Sequence, residues 1–404
     1  MTGPPGAGLF HSSSGPLETD GVAILSSDGQ VVGVSPLDGK RLWSWDSGAH
    51  GVDGDGYGPG GYLLDADDGV VVADKGQSYV GLDVAHGKPA WTQSGLSQNG
   101  LGPVPSGQGG LIFAYPAGQV GELIDISSGR IEWQHPPPTP TGSSTGLVAG
   151  EAYPPVVAAG VVVAPQIDGT AAGSSVATGR TLWTAPESVL QATAAGDLVI
   201  VAPGSPQSPS DAVDAIALDA ASGQKLWSYG PFDPGGDQFA QLGGALVYTN
   251  IGTSNQTGSG EGAPGELARV DPTTGRNLWE VSTSPYKVIA VGNELVSLET
   301  STYALSGDSR YRLVGRDLTS GHTLWTTSQA FGYSSTNQLF TVPSPGGPLV
   351  IVLDRLNLTA YAATTGQEDW TLSLPSNYLV DGVTTVGSGL VVQTSNSQYQ
   401  LGGH

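Results

Sequence analysis

The chain has 404 residues, with 62 Gly, 29 Pro, no Cys and only 12% charged residues. Thirty-six acids against fourteen bases give a formal net charge of −22, which repels phosphate backbones and argues against nucleic-acid binding. The missing cysteine excludes disulfides, thiolate zinc sites and cysteine nucleophiles within these residues, and a lipidated N-terminal cysteine is not expected.

Residues 1–20 begin Met-Thr-Gly-Pro-Pro-Gly, lack the basic and apolar regions of a signal peptide, and read as a flexible N-terminal segment. No apolar run approaches the ~18 residues of a membrane-spanning helix, so no membrane insertion is expected. At Gly21-Val22-Ala23-Ile24-Leu25 a pattern begins: a glycine, then a short run of mostly β-branched residues. It returns at Gly69-Val70-Val71-Val72, Gly160-Val161-Val162-Val163, Gly196-Asp197-Leu198-Val199-Ile200, Gly347-Pro348-Leu349-Val350-Ile351 and Gly389-Leu390-Val391-Val392. Such runs predict buried central strands.

Between these runs stands a Gly followed four residues later by Trp. The pairs are Gly39/Trp43, Gly87/Trp91, Gly129/Trp133, Gly179/Trp183, Gly223/Trp227, Gly275/Trp279, Gly321/Trp325 and Gly366/Trp370, with successive Trp residues 42–52 positions apart. Of nine tryptophans only Trp45 lies outside the pattern. Four residues before the Gly stands Asp83, Asp125, Asp219, Asp271 or Asp317 in five copies, and Ser35, Ser175 or Ala362 in the rest. Six residues before it the side chain is small in six copies (Gly33, Gly81, Gly173, Ala217, Gly315, Ala360), with Leu123 and Arg269 as departures.

The pattern predicts a β-hairpin. Gly supplies the positive φ of the turn, and Asp with Ser/Thr bonds nearby amides. One hairpin cannot bury a Trp alone, so the neighbouring unit must cover it. Each repeat then comprises an inner strand A, a buried strand B, a strand C carrying the Asp and an outer strand D near the Trp, which is the propeller period.

At these residues the chain resembles the tryptophan-docking motif of quinoprotein-like (PQQ-like) propellers, Ala-x-Asp-x-x-Thr-Gly-x-x-x-Trp. Asp219 to Trp227 and Asp271 to Trp279 match it closely. The Gly-His…Trp-Asp signature of WD40 repeats and the Gly-Gly plus Tyr…Trp pattern of kelch repeats are missing. The resemblance implies an all-β, eight-bladed β-propeller of four-stranded antiparallel blades, forming a single domain over residues 21–404. It also implies structural docking roles for Trp43, Trp91, Trp133, Trp183, Trp227, Trp279, Trp325 and Trp370. N- and C-terminal segments are expected to close the ring, with residues near 379–386 supplying the inner strand beside 21–26.

The resembled family includes dehydrogenases that hold pyrroloquinoline quinone and calcium. This chain matches none of their ligand contexts and cannot form their vicinal disulfide, so no cofactor, metal or catalytic residue is expected. The six histidines (His11, His50, His86, His135, His322, His404) are scattered, and no phosphate-binding loop or nucleophile elbow occurs. The loop Asp53-Gly54-Asp55-Gly56-Tyr57-Gly58 matches the start of a calcium loop, but Leu64 stands where a Glu is needed.

Insertions concentrate in the D–A and B–C connections, which share one face: 48–61, 134–155, 203–214, 230–241, 252–265 and 328–340. Loops on a rigid scaffold carry binding, which makes Tyr57, Phe232, Phe239, Phe331 and Tyr333 the candidate partner anchors. The expected function is a non-enzymatic binding or scaffold propeller that takes a protein or cell-envelope ligand, as an extracytoplasmic monomer. The alternatives are a quinone- and calcium-dependent dehydrogenase and an extracytoplasmic sensor module of a larger receptor.

Overall fold

The computed structural model describes residues 17–27, 30–35, 40–46, 63–75, 78–94, 104–105, 109–114, 120–135, 155–166, 169–185, 188–204, 213–233, 236–250, 265–302, 310–328, 330–332, 338–342, 344, 346–354, 357–373, 380–386, 389–394 and 397–401. Every regular element among them is a strand. The first sheet contains β1 (Leu17–Thr19), β2 (Val22–Ser27), β3 (Gln30–Val34) and β4 (Arg41–Asp46), and the second β5 (Leu63–Asp67), β6 (Val70–Asp74), β7 (Ser78–Asp83) and β8 (Lys88–Ser94). The third holds β9 (Val104–Pro105), β10 (Gly110–Ala114), β11 (Val120–Asp125) and β12 (Ile131–Gln134). The fourth holds β13 (Val156–Ala158), β14 (Val161–Pro165), β15 (Ala171–Ser175) and β16 (Thr181–Thr184). The fifth has β17 (Val189–Ala195), β18 (Leu198–Pro203), β19 (Val213–Asp219) and β20 (Lys225–Phe232). The sixth has β21 (Asp237–Leu242), β22 (Ala245–Asn250), β23 (Glu266–Val270) and β24 (Asn277–Ser282). The seventh has β25 (Pro285–Val291), β26 (Glu294–Thr302), β27 (Arg310–Asp317), β28 (Thr323–Thr326) and the short β29 (Phe331–Gly332). The eighth contains β30 (Gln338–Val342), β31 (Leu349–Asp354), β32 (Asn357–Ala362) and β33 (Glu368–Ser373), and the ninth β34 (Val380–Val386), β35 (Gly389–Thr394) and β36 (Ser397–Leu401).

This is an all-β, β-propeller-type chain of antiparallel blades, each a meander in chain order. The burial follows the sequence. β14, with three consecutive valines, is buried along its whole length, whereas the outer β24 alternates exposed and half-buried residues. A second strand covered on both faces takes a continuous apolar run, and an edge strand does not.

Two corrections apply to the sequence expectations. Eight uniform blades were expected, but seven sheets have four strands, the seventh in chain order adds β29, and the ninth has three. β29 pairs with the start of β27, Arg310 and Tyr311, beyond the reach of the short β28. The inner strand of the first sheet is β1, from the segment expected to be flexible, and residues 380–386 pair with β35 instead of β2. The reason is local: Asp20 (φ +49°) and Gly21 (φ +71°) make a two-residue turn, which closes β1 onto β2 at far lower entropy cost than a strand ~360 residues away.

The residues divide into two compact units: Trp227–Leu379 with 212–214, and Phe10–Asp211 with 215–226 and Val380–His404. Within each unit successive sheets stack face to face. Ile24 and Val31 of the first sheet meet Val71 and Leu82 of the second, and Val296 and Leu313 of the seventh meet Val350 and Tyr361 of the eighth.

Candidate functional site

In each described C–D turn the Gly N–H returns to the carbonyl four residues earlier, as in Gly87 to Asp83 at 2.7 Å and Gly223 to Asp219 at 2.8 Å. The glycine sits in the left-handed region, φ +64° to +72° at Gly87, Gly129, Gly179, Gly223, Gly275, Gly321 and Gly366. Asp219 Oδ1 accepts both the N–H (2.8 Å) and the hydroxyl (2.6 Å) of Ser222. Asp125, Asp271 and Asp317 repeat this with Ser128, Thr273 and Ser320. These hydroxyl and amide bonds hold the four carboxyls below their ordinary range, and a bond from His86 does so first for Asp83.

The residue after the Asp position ties the sheets together, a role the sequence reading missed. Val84, Ile126, Val176, Ala220 and Leu318 donate their N–H to a carbonyl of the A–B turn, Gly69, Gly109, Gly160, Asp197 and Asn293 respectively. Their own carbonyls accept the indole N–H of the preceding sheet, from Trp43 (2.7 Å), Trp91 (2.8 Å), Trp133, Trp183 (2.8 Å) and Trp279 (3.0 Å). Pro272 accepts from Trp227 at 2.8 Å in the same way. Trp325 differs, donating to Glu294 Oε2 at 3.3 Å in its own sheet, and Trp370 is half-buried opposite Ala360.

Two glycines flank four of these rings, those of Trp43, Trp91, Trp183 and Trp325. The small residue of strand C lies directly opposite the Trp, as in Gly33↔Trp43 and Gly173↔Trp183, and a bulge follows at once. A Cβ on Gly33 would fall 2.2 Å from the Trp43 ring, and one on Gly87 of the next sheet 2.3 Å from its other face. Trp45, outside the motif, is half-buried with the Lys75 ammonium 5.8 Å from its ring. Its repeat-mates two residues after the Trp, Gln93 and His135, bond the carbonyls of Gly129 and Gly179. The A–B/C–D end of the sheets is thus taken up by structural bonds.

At the opposite end, the candidate anchors do not form an exposed set. Phe232, Phe239 and Phe331 are only 3%, 2% and 1% exposed, so they offer no surface to a partner. Phe232 stacks on Phe239 at 5.7 Å, and Phe331 meets Tyr361 edge-on at 6.1 Å. Burying a phenyl ring stabilises the fold more than leaving it on a loop, and that outweighs the connection's position in the sequence. Tyr57, Tyr333 and the loop Asp53–Gly58 lie outside the described residues.

The structure instead brings together polar groups on one face of the sixth sheet, reaching its B–C/D–A end. Asp237, Asn250 and Glu266 align across β21, β22 and β23, with Tyr248 and Glu280 in the adjacent row. Asp237 Oδ2 accepts the Tyr248 hydroxyl and the Asp233 N–H, each at 2.8 Å, while its buried Oδ1 has no hydrogen-bond partner. Burial raises the Asp237 carboxyl above its ordinary range. It also raises Glu266, with the Glu280 charge adding to the effect, and lifts the Tyr229 and Tyr248 hydroxyls. Such clusters of displaced titratable groups concentrate at functional sites. Sequence reasoning missed this one because only the strand register aligns its members.

A second polar group is buried in the seventh sheet. Arg316 makes a two-pronged contact with Glu299 (3.1 and 2.8 Å), whose oxygens also accept Ser297 and Thr283 at 2.7 Å. Arg316 Nη1 donates to Thr323. Every carboxylate oxygen here is satisfied, which is a structural arrangement.

The repeat geometry agrees with what family comparison finds: the family profile described as outer membrane protein assembly factor BamB matches residues 27–188, 75–242 and 212–401. The chain belongs to this BamB family of PQQ-like propellers. Among solved structures, a computationally designed protein, Ika8, is 14% identical with a TM-score of 0.54, covering 84% of this chain and 94% of its own. The dihydro-heme d1 dehydrogenase NirN is 14% identical with a TM-score of 0.54, covering 93% and 77%. BamB from Moraxella catarrhalis is 17% identical with a TM-score of 0.46, covering 69% and 78%. At these identities the likeness concerns the fold alone. No curated protein sequence matches the chain significantly. Among the described residues no group of three His, Asp or Glu side chains is placed to hold a metal.

Proposed function

We propose that this BamB-family chain is a non-enzymatic binding scaffold, working as a monomer outside the cytoplasm and contacting protein partners with the B–C/D–A end of its sheets. The observation that carries the reading is the asymmetry between the two ends. At one end Val84, Ile126, Val176, Ala220 and Leu318 have both backbone polar groups bonded and their side chains buried. That arrangement recurs in five of the sheets, which leaves it little freedom to vary toward a partner. The connections at the other end differ in length from sheet to sheet, and the Asp237–Glu266 cluster reaches that end. The family's description, an assembly factor for outer-membrane proteins, supports a partner that is itself a protein.

Photo-crosslinking residues at Gln238 and Ser282, on one end, and at Ser222 and Ser320, on the other, test this in cells. Adducts with a recurrent protein from the first pair alone are expected. Adducts from the second pair alone overturn the reading, as does dye reduction by purified protein given pyrroloquinoline quinone and calcium.

A further inference from the structure

We propose that Glu266 and Glu280, with Tyr229 beside them, form a seat for an arginine side chain of a basic partner segment; this deepens the binding reading above and rests on it. Glu266 on β23 and Glu280 on β24 share one face of the sixth sheet, in neighbouring cross-strand rows. The Asn277 side-chain amide donates to both, at 3.3 Å to Glu266 Oε1 and 2.8 Å to Glu280 Oε2. One neutral nitrogen therefore serves two carboxylates. The Tyr229 hydroxyl donates to Asn277 Oδ1 at 3.1 Å and lies 3.4 Å from Glu266 Oε1. Glu280 and Asn277 are exposed, and Glu266 and Tyr229 half-buried, so the seat can be reached from solvent.

Among the described residues neither Glu266 nor Glu280 is joined to a Lys, Arg or His, unlike Asp83 with His86, Glu132 with Arg130 and Glu299 with Arg316. Arg269, on β23 itself, stands opposite Trp279 on the other face and donates to the Leu318 carbonyl. Asp237 supplies an independent sign: it is 2% exposed, lies in the same cross-strand row as Glu266, and keeps an acceptor oxygen with no donor. A buried unmet acceptor two strands from Glu266 in the same row adds to the negative field of the two glutamates, which a cation relieves.

Guanidinium is favoured over ammonium by geometry. Two carboxylate oxygens within hydrogen-bond reach of one nitrogen suit a planar fork with several N–H groups. Tyr229 packs against Phe239 (5.3 Å) and Tyr248 (4.8 Å), a fixed aromatic wall against which a guanidinium can lie. The net charge of −22 attracts a basic segment over a longer range. Asn277 then acts as the placeholder that the arginine displaces.

The probe is a fluorescein-labelled peptide of alternating Gly and Arg, with Lys and citrulline peptides of equal length, read by anisotropy at physiological salt. Glu266→Gln/Glu280→Gln is expected to weaken the Arg peptide roughly tenfold, as two partly exposed charge contacts would. Asp83→Asn/Asp317→Asn, with the same change in net charge at the opposite end, should leave it nearly unaffected. Asn277→Arg, which provides the guanidinium within the chain, should also weaken binding. Equal losses in both double variants, or equal binding of Arg and Lys peptides, overturn the proposal. Crosslinks at Gln238 and Ser282 with no effect of Glu266→Gln/Glu280→Gln would sink the arginine seat and leave the scaffold reading intact. A selective seat without such crosslinks would do the reverse.

Discussion

Trp183 Nε1 donates to the carbonyl oxygen of Ala220, 2.8 Å away and 37 residues further along the chain. The N–H of the same Ala220 bonds Asp197 in the A–B turn of the fifth sheet. One residue thus joins the turns of its own sheet and anchors the ring of the sheet before it. Val84, Ile126, Val176 and Leu318 make the same three-way junction, so stability is shared between these neighbouring sheets.

Removing one indole should therefore be felt strongly. Trp227 is 7% exposed and covers Gly275 while bonding Pro272. Trp227→Ala is expected to cost about 3–5 kcal/mol, seen as a clear fall in melting temperature. A melting curve that superimposes on that of the parent protein would refute the docking role.

The glycine opposite the ring yields a sharper test. Gly173 has no left-handed backbone, yet a Cβ there would lie 2.2 Å from Trp183 Cε2, whereas Gly244 (φ +79°) has nothing within 4 Å of its Cβ position. Gly173→Ala is expected to cost roughly 1–3 kcal/mol through overpacking, and Gly244→Ala about 1–2 kcal/mol through backbone strain alone. In a Trp183→Leu background the first cost should largely vanish and the second persist. A Gly173→Ala cost that is unchanged there would show that the ring is not its cause.

The turn was legible in the sequence because Gly, Asp and Trp each serve a local purpose at a fixed offset. The pivot after the Asp was equally regular, with Pro36, Val84, Ile126, Val176, Ala220, Pro272, Leu318 and Ala363 all apolar. It stayed hidden because its chemistry is in the backbone, and an apolar side chain reads as ordinary core. β1 was missed since three residues, Leu17–Thr19, are too few to show a period. The polar site on the sixth sheet depends on a register joining Asp237, Asn250 and Glu266, which no spacing along the chain reveals. Phe232, Phe239 and Phe331 were misplaced for the opposite reason, because position in a connection said nothing about these rings turning inward.

Acid should loosen the turns. The Asp219 carboxyl is held below its ordinary 3.8 by the Ser222 bonds, so its contribution is complete above that value and lost as pH falls through the lower folded value. Asp237 and Glu266 act with opposite sign. Their raised values mean a cost while ionised, relieved as pH falls through the folded values toward the unfolded ones. Asp219→Asn keeps an acceptor but no charge, so it should be less stable than the parent near neutrality. The gap should close below about pH 3.8. Thermal unfolding across pH measures it, and a gap that stays constant into strong acid would contradict the assignment.

The Glu299–Arg316 pair sits where other sheets place an apolar residue: Leu82, Ile124, Leu218 and Val270 occupy the position of Arg316, immediately before the Asp. Both partners are buried, at 7% and 9% exposure. Arg316→Met alone leaves an ionised carboxylate facing only Ser297 and Thr283, and should destabilise by about 3–5 kcal/mol. Glu299→Leu with Arg316→Leu removes both charges and restores the pattern of the neighbouring sheets, so it should cost far less than either single change. Chemical denaturation of the two singles and the double closes the cycle. A double variant as unstable as the sum of the singles would mean that each side chain acts through separate packing and that the ion pair itself contributes nothing.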